Sequence, residues 1–258
     1  MREQFTVRAA VSVVIMSIVL SVLLTSGAAF LLQNNGGGTF IRPVTLIFGE
    51  SVLLVPVFIF LARRTNNIRR VLRINAVPAT TLGITVIFSL GVVVWADEVD
   101  RLITSVFPPP DWLPQLLRAD DPVSLLLIFL GAVILAAVAE EILFRGFLQS
   151  VLENHWKNVT RAVLITSLLF AVIHFNPSGM IQIYLLAILM GYLAWRTNSV
   201  FPSIVMHGIN NGLAFTFINW GEYLEPWYAW RGHVSPVILI GGAVLTVIGF
   251  RRLSNSRG

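Results

Sequence analysis

Apolar runs of about 20 residues recur along the whole chain, and that is the length an α-helix needs to cross a bilayer. They fall at roughly 9–32, 44–62, 77–96, 123–150, 162–175, 180–195, 200–219 and 234–250. The fifth and sixth are short and separated by the breaker Asn176-Pro177-Ser178-Gly179. Eight helices are expected, or seven if that pair is one broken element. Transmembrane strands are excluded, because the segments lack period-two alternation and are too long for barrel strands. The expected fold class is all-α: a polytopic membrane protein forming a single transmembrane domain over residues 1–258.

Composition agrees. Charged residues make up 12% of the chain, about half the usual supply of a soluble domain. An ordinary cytosolic domain and a disordered chain are both ruled out. The absence of cysteine excludes disulfides, thiolate metal sites and a cysteine nucleophile.

The sequence pI near 10.4 would suit a nucleic-acid partner, but topology explains the basic residues better, and no such partner is expected. With a cytoplasmic N-terminus and eight spans, the cytoplasmic side receives Arg2, Arg8, Arg63, Arg64, Arg69, Arg70, Arg73, Lys157, Arg161, Arg196, Arg251, Arg252 and Arg257. The other side receives only Arg42, Arg101, Arg118 and Arg231, while acids such as Asp97, Glu98, Asp100, Asp111, Asp120 and Asp121 gather there. This is the positive-inside pattern, so both termini are expected in the cytoplasm and the protein in the cell (plasma) membrane. The first run is expected to stay attached rather than be cleaved as a signal peptide. Residues 98–120, with Pro108-Pro109-Pro110 and then Trp112, Leu113, Leu116 and Leu117, are expected to form an external loop with a short interfacial helix.

Ionisable side chains inside a bilayer cost about 2.5–3.5 kcal/mol each on insertion scales, so each needs a reason. The fourth run holds Glu140, Glu141 and Arg145, the fifth ends on Phe170-Ala171-Val172-Ile173-His174, and the seventh contains His207, Asn210 and Asn211. Glu140 lies about 27 Å of helix from the turn near Asn158, and His174 about 24 Å back from it, so the two reach nearly one level. His207 lies about 10 Å into its own run. The three groups converge on the middle or cytoplasmic half of the bilayer.

Helix geometry sorts their roles. Glu141 and Arg145 are four apart with the acid first, the favourable order for an ion pair on one face. Glu140 points about 100° away and is the freer carboxylate, a candidate general base with His174 as its partner in holding a water. His207 and Asn211 share a face, and their N–H groups suit a developing oxyanion. Phe170 and Asn210 are read as packing residues.

These runs, Glu140-Glu141-x-x-x-Arg145, Phe170-x-x-x-His174 and His207-x-x-x-Asn211, resemble the three motifs of the CPBP family of CAAX proteases and bacteriocin-processing enzymes, in order and spacing. The resemblance covers roughly residues 120–220. It implies an eight-helix intramembrane endopeptidase of the type II CAAX prenyl protease kind. In such an enzyme Glu140 and His174 would activate a water, His207 and Asn211 would stabilise the oxyanion, and Glu141 and Arg145 would support the site. The implied partner is a peptide or protein substrate, lipidated or membrane-anchored, and site depth alone suggests that its tail enters from the cytoplasmic side.

Competing chemistries are largely absent. No His-Glu-x-x-His motif occurs, since Trp156, Phe175, Gly208 and Val234 follow the four histidines. No aspartate falls within a predicted run, and there is no Gly-x-Ser-x-Gly. No cofactor is favoured, although two histidines and a glutamate are a possible zinc set. The rival readings are a non-catalytic membrane scaffold or bacteriocin-immunity protein, and a proton-coupled transporter. Glu50, in the second run, has no assigned role and is read as structural or interfacial.

Overall fold

The computed structural model describes residues 5–109 and 112–255, with the side chains of Trp112 and Leu113 left aside. Arg2, Arg257, Pro110 and Asp111 therefore lie outside the described residues. The chain is 81% helical with almost no sheet, an all-α membrane protein.

The helices are α1 (Val7–Asn34), α2 (Gly38–Ala62), α3 (Ile68–Val71), α4 (Ala79–Thr104), α5 (Trp112–Leu117), α6 (Pro122–Trp156), α7 (Val159–Val172), α8 (Met180–Thr197), α9 (Phe201–Tyr228) and α10 (Pro236–Asn255). A hairpin of β1 (Ala229–Trp230) and β2 (His233–Val234) precedes α10. Among the described residues six helices are long and apolar enough to cross a membrane: α1, α2, α4, α6, α8 and α10. The two other expected spans exist as helices of a different kind. α7 has only 14 residues, about 21 Å of rise. α9 has 28 residues but carries His207, Asn210, Asn211, Asn219, Glu222 and Glu225, and it kinks at Trp220.

Local chemistry sets the helix ends. The Asp121 carboxylate accepts from the N–H groups of Val123 and Ser124 before Pro122 opens α6, and Asn158 caps α7 through the N–H of Arg161. Lys157 and Asn198 adopt left-handed conformations that end α6 and α8.

α4 runs further than its hydropathy suggests. It continues to Thr104, so Asp97, Glu98 and Asp100 ride on helix rather than on the external loop. Arg101 makes this possible by bonding Asp97 one turn back, at 2.8 Å, and Glu225 of α9, at 2.7 Å.

Small residues permit the closest helix contacts. A Cβ at Gly91 of α4 would stand 2.5 Å from the carbonyl of Gly242 in α10, and one at Gly249 would stand 2.6 Å from the Cβ of Phe88. α2 lies against α1, where Ser21 Oγ donates to the carbonyl of Gly49 at 2.8 Å. α6 runs through the centre, and every residue from Glu141 to Leu152 is buried. Its helix widens twice into π-turns, over Phe129–Leu135 and Ile142–Gln149, with six α-helical residues between them that end on Glu140 and Glu141. Such widenings re-aim side chains and recur at functional sites.

Candidate active site

The structure brings Glu140, Glu141 and Arg145 of α6, His174 at the end of α7, and His207 and Asn211 of α9 into one region. The short length of α7 accounts for His174. The helix stops at Val172, and a turn through Phe175, whose φ is +48°, leads into Asn176-Pro177. His174 therefore sits where the chain reverses inside the bundle.

Glu141 and Arg145 lie on the sealed side of α6. Both side chains have no exposure, and Arg145 Nη1 donates to Glu141 Oε1 at 2.7 Å. Arg145 Nη2 donates to the carbonyl of Ala187 on α8 at 3.2 Å, and its guanidinium lies 4.2 Å above the Phe170 ring centroid. His207 Nδ1 meets the same Glu141 oxygen at 3.0 Å. The ion pair thus also orients the α9 imidazole, and both motifs form one network.

Phe170 does more than pack beside His174. Its ring contacts His174 at 4.7 Å and His207 at 5.7 Å between centroids, as well as Arg145.

Glu140 turns the other way, toward His174 and His207. Its Oε2 lies 3.7 Å from His174 Nε2 and 4.0 Å from His207 Nε2, and it is buried with no hydrogen-bond partner. His174 Nδ1 lies 2.7 Å from the carbonyl of Phe170, an acceptor, so Nδ1 carries a hydrogen while Nε2 faces Glu140. The separation is too long for a direct bond and suits a small molecule placed between.

Asn211 Nδ2 donates to the carbonyl of Ala132, in the first π-turn of α6, at 3.0 Å, which leaves its second amide hydrogen free. Asn210, expected to serve only packing, does two things. It receives Gln182 Nε2 of α8 at 3.4 Å, and it lines the cavity beside Asn211.

That cavity, about 270 Å³, is lined at the site by Phe170, His174, His207, Asn210 and Asn211. Its lining continues past Asn176 and Gln182 to Asp97 and Asp100 of α4, Leu117 and Phe217. These last residues belong to the acidic end of the bundle, opposite Arg63, Arg64, Arg161 and Arg251.

Glu50, Asn210 and Gln182 are the site neighbours that sequence reasoning left unassigned or placed elsewhere. Glu50 of α2 carries a buried Oε2 with no hydrogen-bond partner.

Residues 122–213 match the Rce1-like family of type II CAAX prenyl endopeptidases. The Rce1-like segment contains Glu140, Glu141, Arg145, His174, His207 and Asn211, and leaves α1 to α4 outside. The match supports protease activity of the CAAX type at the level of the family. No curated protein and no solved structure matches the chain.

Proposed function

We propose that the chain is an intramembrane endopeptidase of the plasma membrane that hydrolyses a peptide bond by direct attack of water. The observation that carries this reading is Glu140 Oε2 and His174 Nε2 facing each other across 3.7 Å, with His174 in the cavity wall. A water between them would donate one hydrogen to each and turn a lone pair toward a substrate carbonyl. Glu140 would take the proton as the oxygen–carbon bond forms. The resulting oxyanion would receive Nε2–H of a His207 imidazolium, whose other N–H is held by Glu141, and the free amide hydrogen of Asn211. Glu140 would then hand its proton to the departing amine as the carbon–nitrogen bond breaks. Atoms balance, and no acyl-enzyme forms.

Zinc does not fit this donor set. The buried Arg145 guanidinium beside Glu141 opposes a dication, and the amide of Asn211 is a poor zinc ligand. No step is routed through a metal. The substrate class proposed is a lipidated or membrane-anchored peptide or protein tail.

Glu140→Gln nearly keeps volume and removes the base. Cleavage in reconstituted vesicles is expected to fall by about 10²–10⁴-fold with unfolding temperature unchanged, and C-terminal proteomics of cells would show substrates lost relative to the parent. Parental cleavage by Glu140→Gln would refute the reading, and complementation without cleavage would favour the scaffold. Buffered zinc added after chelation is expected to leave activity flat.

A further inference from the structure

At the arginine-rich end of the bundle lies a larger cavity, of about 630 Å³, which shares no lining residue with the one described above. Three chain connections build it: the link from α2 to α4 that holds α3, the turn between α6 and α7, and the turn between α8 and α9. Hydrogen bonds tie the first to the helices beside it. Ser150 Oγ of α6 donates to the carbonyl of Val71 at 3.2 Å, Asn75 Nδ2 to that of Asn198 at 2.7 Å, and the N–H of Val200 to that of Arg73 at 3.0 Å. The fold itself holds the walls in place.

The charge of the lining is one-sided. Glu153, the only carboxylate among its described residues, is saturated: it accepts from both Nη groups of the buried Arg73 and from Gln149 Nε2 at 2.8 Å. Arg70 and Lys157 line the same space, are exposed, and have no acidic partner among the described residues. An anion entering here meets two unpaired cations and no free acid.

The backbone points to the same place. Arg73, Lys157 and Asn198 all line the cavity with φ of +54°, +53° and +49°, a region that favours glycine. Lys157 ends α6 at the position where glycine is the usual residue. A lysine there keeps its ammonium at the cavity against the backbone preference, as residues held for function do. The rest of the lining includes Phe5, Val71, Val151 and Trp195. Trp195 is exposed near the end of the membrane-crossing α8, the level where headgroups meet acyl chains.

We propose that this cavity binds the headgroup of an anionic phospholipid, with its phosphate between Arg70 and Lys157 and its glycerol end against Trp195 and Phe5. Inorganic phosphate carries the same charged oxygens without the apolar part, so the test separates the two.

The full chain in neutral detergent is titrated with dioleoyl phosphatidylglycerol, dioleoyl phosphatidylcholine or inorganic phosphate, and bound ligand is counted by native mass spectrometry. Each unpaired cation at an anionic headgroup is worth about fivefold in affinity, so the parent should prefer phosphatidylglycerol over phosphatidylcholine by about 25-fold. Inorganic phosphate should not bind. Arg70→Gln alone, at an exposed position, should lower the preference about fivefold. Arg70→Gln with Lys157→Gly should abolish it, and the unfolding temperature without lipid should not fall, because glycine suits the left-handed position. Arg251→Gln with Arg252→Gln removes the same charge from the exposed end of α10, outside the cavity, and should keep the parental preference.

An equal loss in the two double variants would show diffuse attraction of the basic end to anionic lipid and would overturn the site. So would a parental preference after Arg70→Gln with Lys157→Gly. Inorganic phosphate that binds through Arg70 and Lys157, without any preference for phosphatidylglycerol, would overturn the lipid as the ligand.

Discussion

One peptide bond separates Glu140 from Glu141, and the two carboxylates live in different media. Glu141 faces the sealed side of α6, with a guanidinium at 2.7 Å and an imidazole at 3.0 Å. Glu140 turns the other way, with two imidazole nitrogens at 3.7 and 4.0 Å and a direct hydrogen bond to neither. The 100° step of a helix is enough to give one acid a structural environment and its neighbour a reactive one. A saturated carboxylate holds geometry, whereas an unsaturated one is available to take a proton. Damage to the sealed side should therefore register first in stability, and damage to the cavity side first in rate.

The largest effect is expected from Arg145→Met. It leaves Glu141 as an uncompensated buried charge, which costs about 3–5 kcal/mol. Thermal unfolding in detergent should fall accordingly, and activity should fall with it as His207 loses its anchor. Adding Glu141→Gln to Arg145→Met removes the orphaned charge and should restore part of the loss. A single variant as stable as the parent would show that the two sides of α6 do not differ as described.

The polar core of this contrast was visible in the sequence because charge in an apolar helix is conspicuous. Glu140, Glu141, Arg145, His174, His207 and Asn211 stand out from their surroundings without knowledge of the fold. The rest was hidden for identifiable reasons. Glu50 was equally conspicuous, but its surroundings depend on how α2 packs against α6, which the sequence alone does not show. Asn210 and Gln182 are neutral amides, whose placement on or off a cavity depends on helix rotation that the two π-turns of α6 help to set. Asp97 and Asp100 read as the end of a span, yet the Arg101 bonds let α4 continue and bring them to the cavity wall.

On the cavity side, Asn211→Ala sharpens the comparison. Its free amide hydrogen is assigned to the oxyanion, so kcat should drop by about 10²–10³-fold. Stability should change by only about 1 kcal/mol, the usual worth of its bond to the Ala132 carbonyl. An unchanged KM would place the loss in the transition state rather than in substrate binding. The opposite pattern, a stable rate with a large loss of stability, would make Asn211 a strut between α6 and α9.

The smallest effect belongs to Gln182→Leu. Gln182 reaches Asn210 at 3.4 Å, a long bond, and Asn210 Nδ2 in turn meets Asn211 Oδ1 at 3.3 Å. A chain of weak bonds restrains the oxyanion amide without fixing it, because Asn211 is already held by the shorter bond to Ala132. Leucine keeps the volume of the glutamine side chain and removes its donor, so stability should change by at most about 1 kcal/mol and kcat by a few-fold. The change should vanish in an Asn210→Ala background, since Gln182 would act on the site only through Asn210. If Gln182→Leu instead lowers the rate as much as Asn211→Ala does, regardless of Asn210, then Gln182 itself contacts substrate. The reactive side of the cavity would then extend from α9 across to α8.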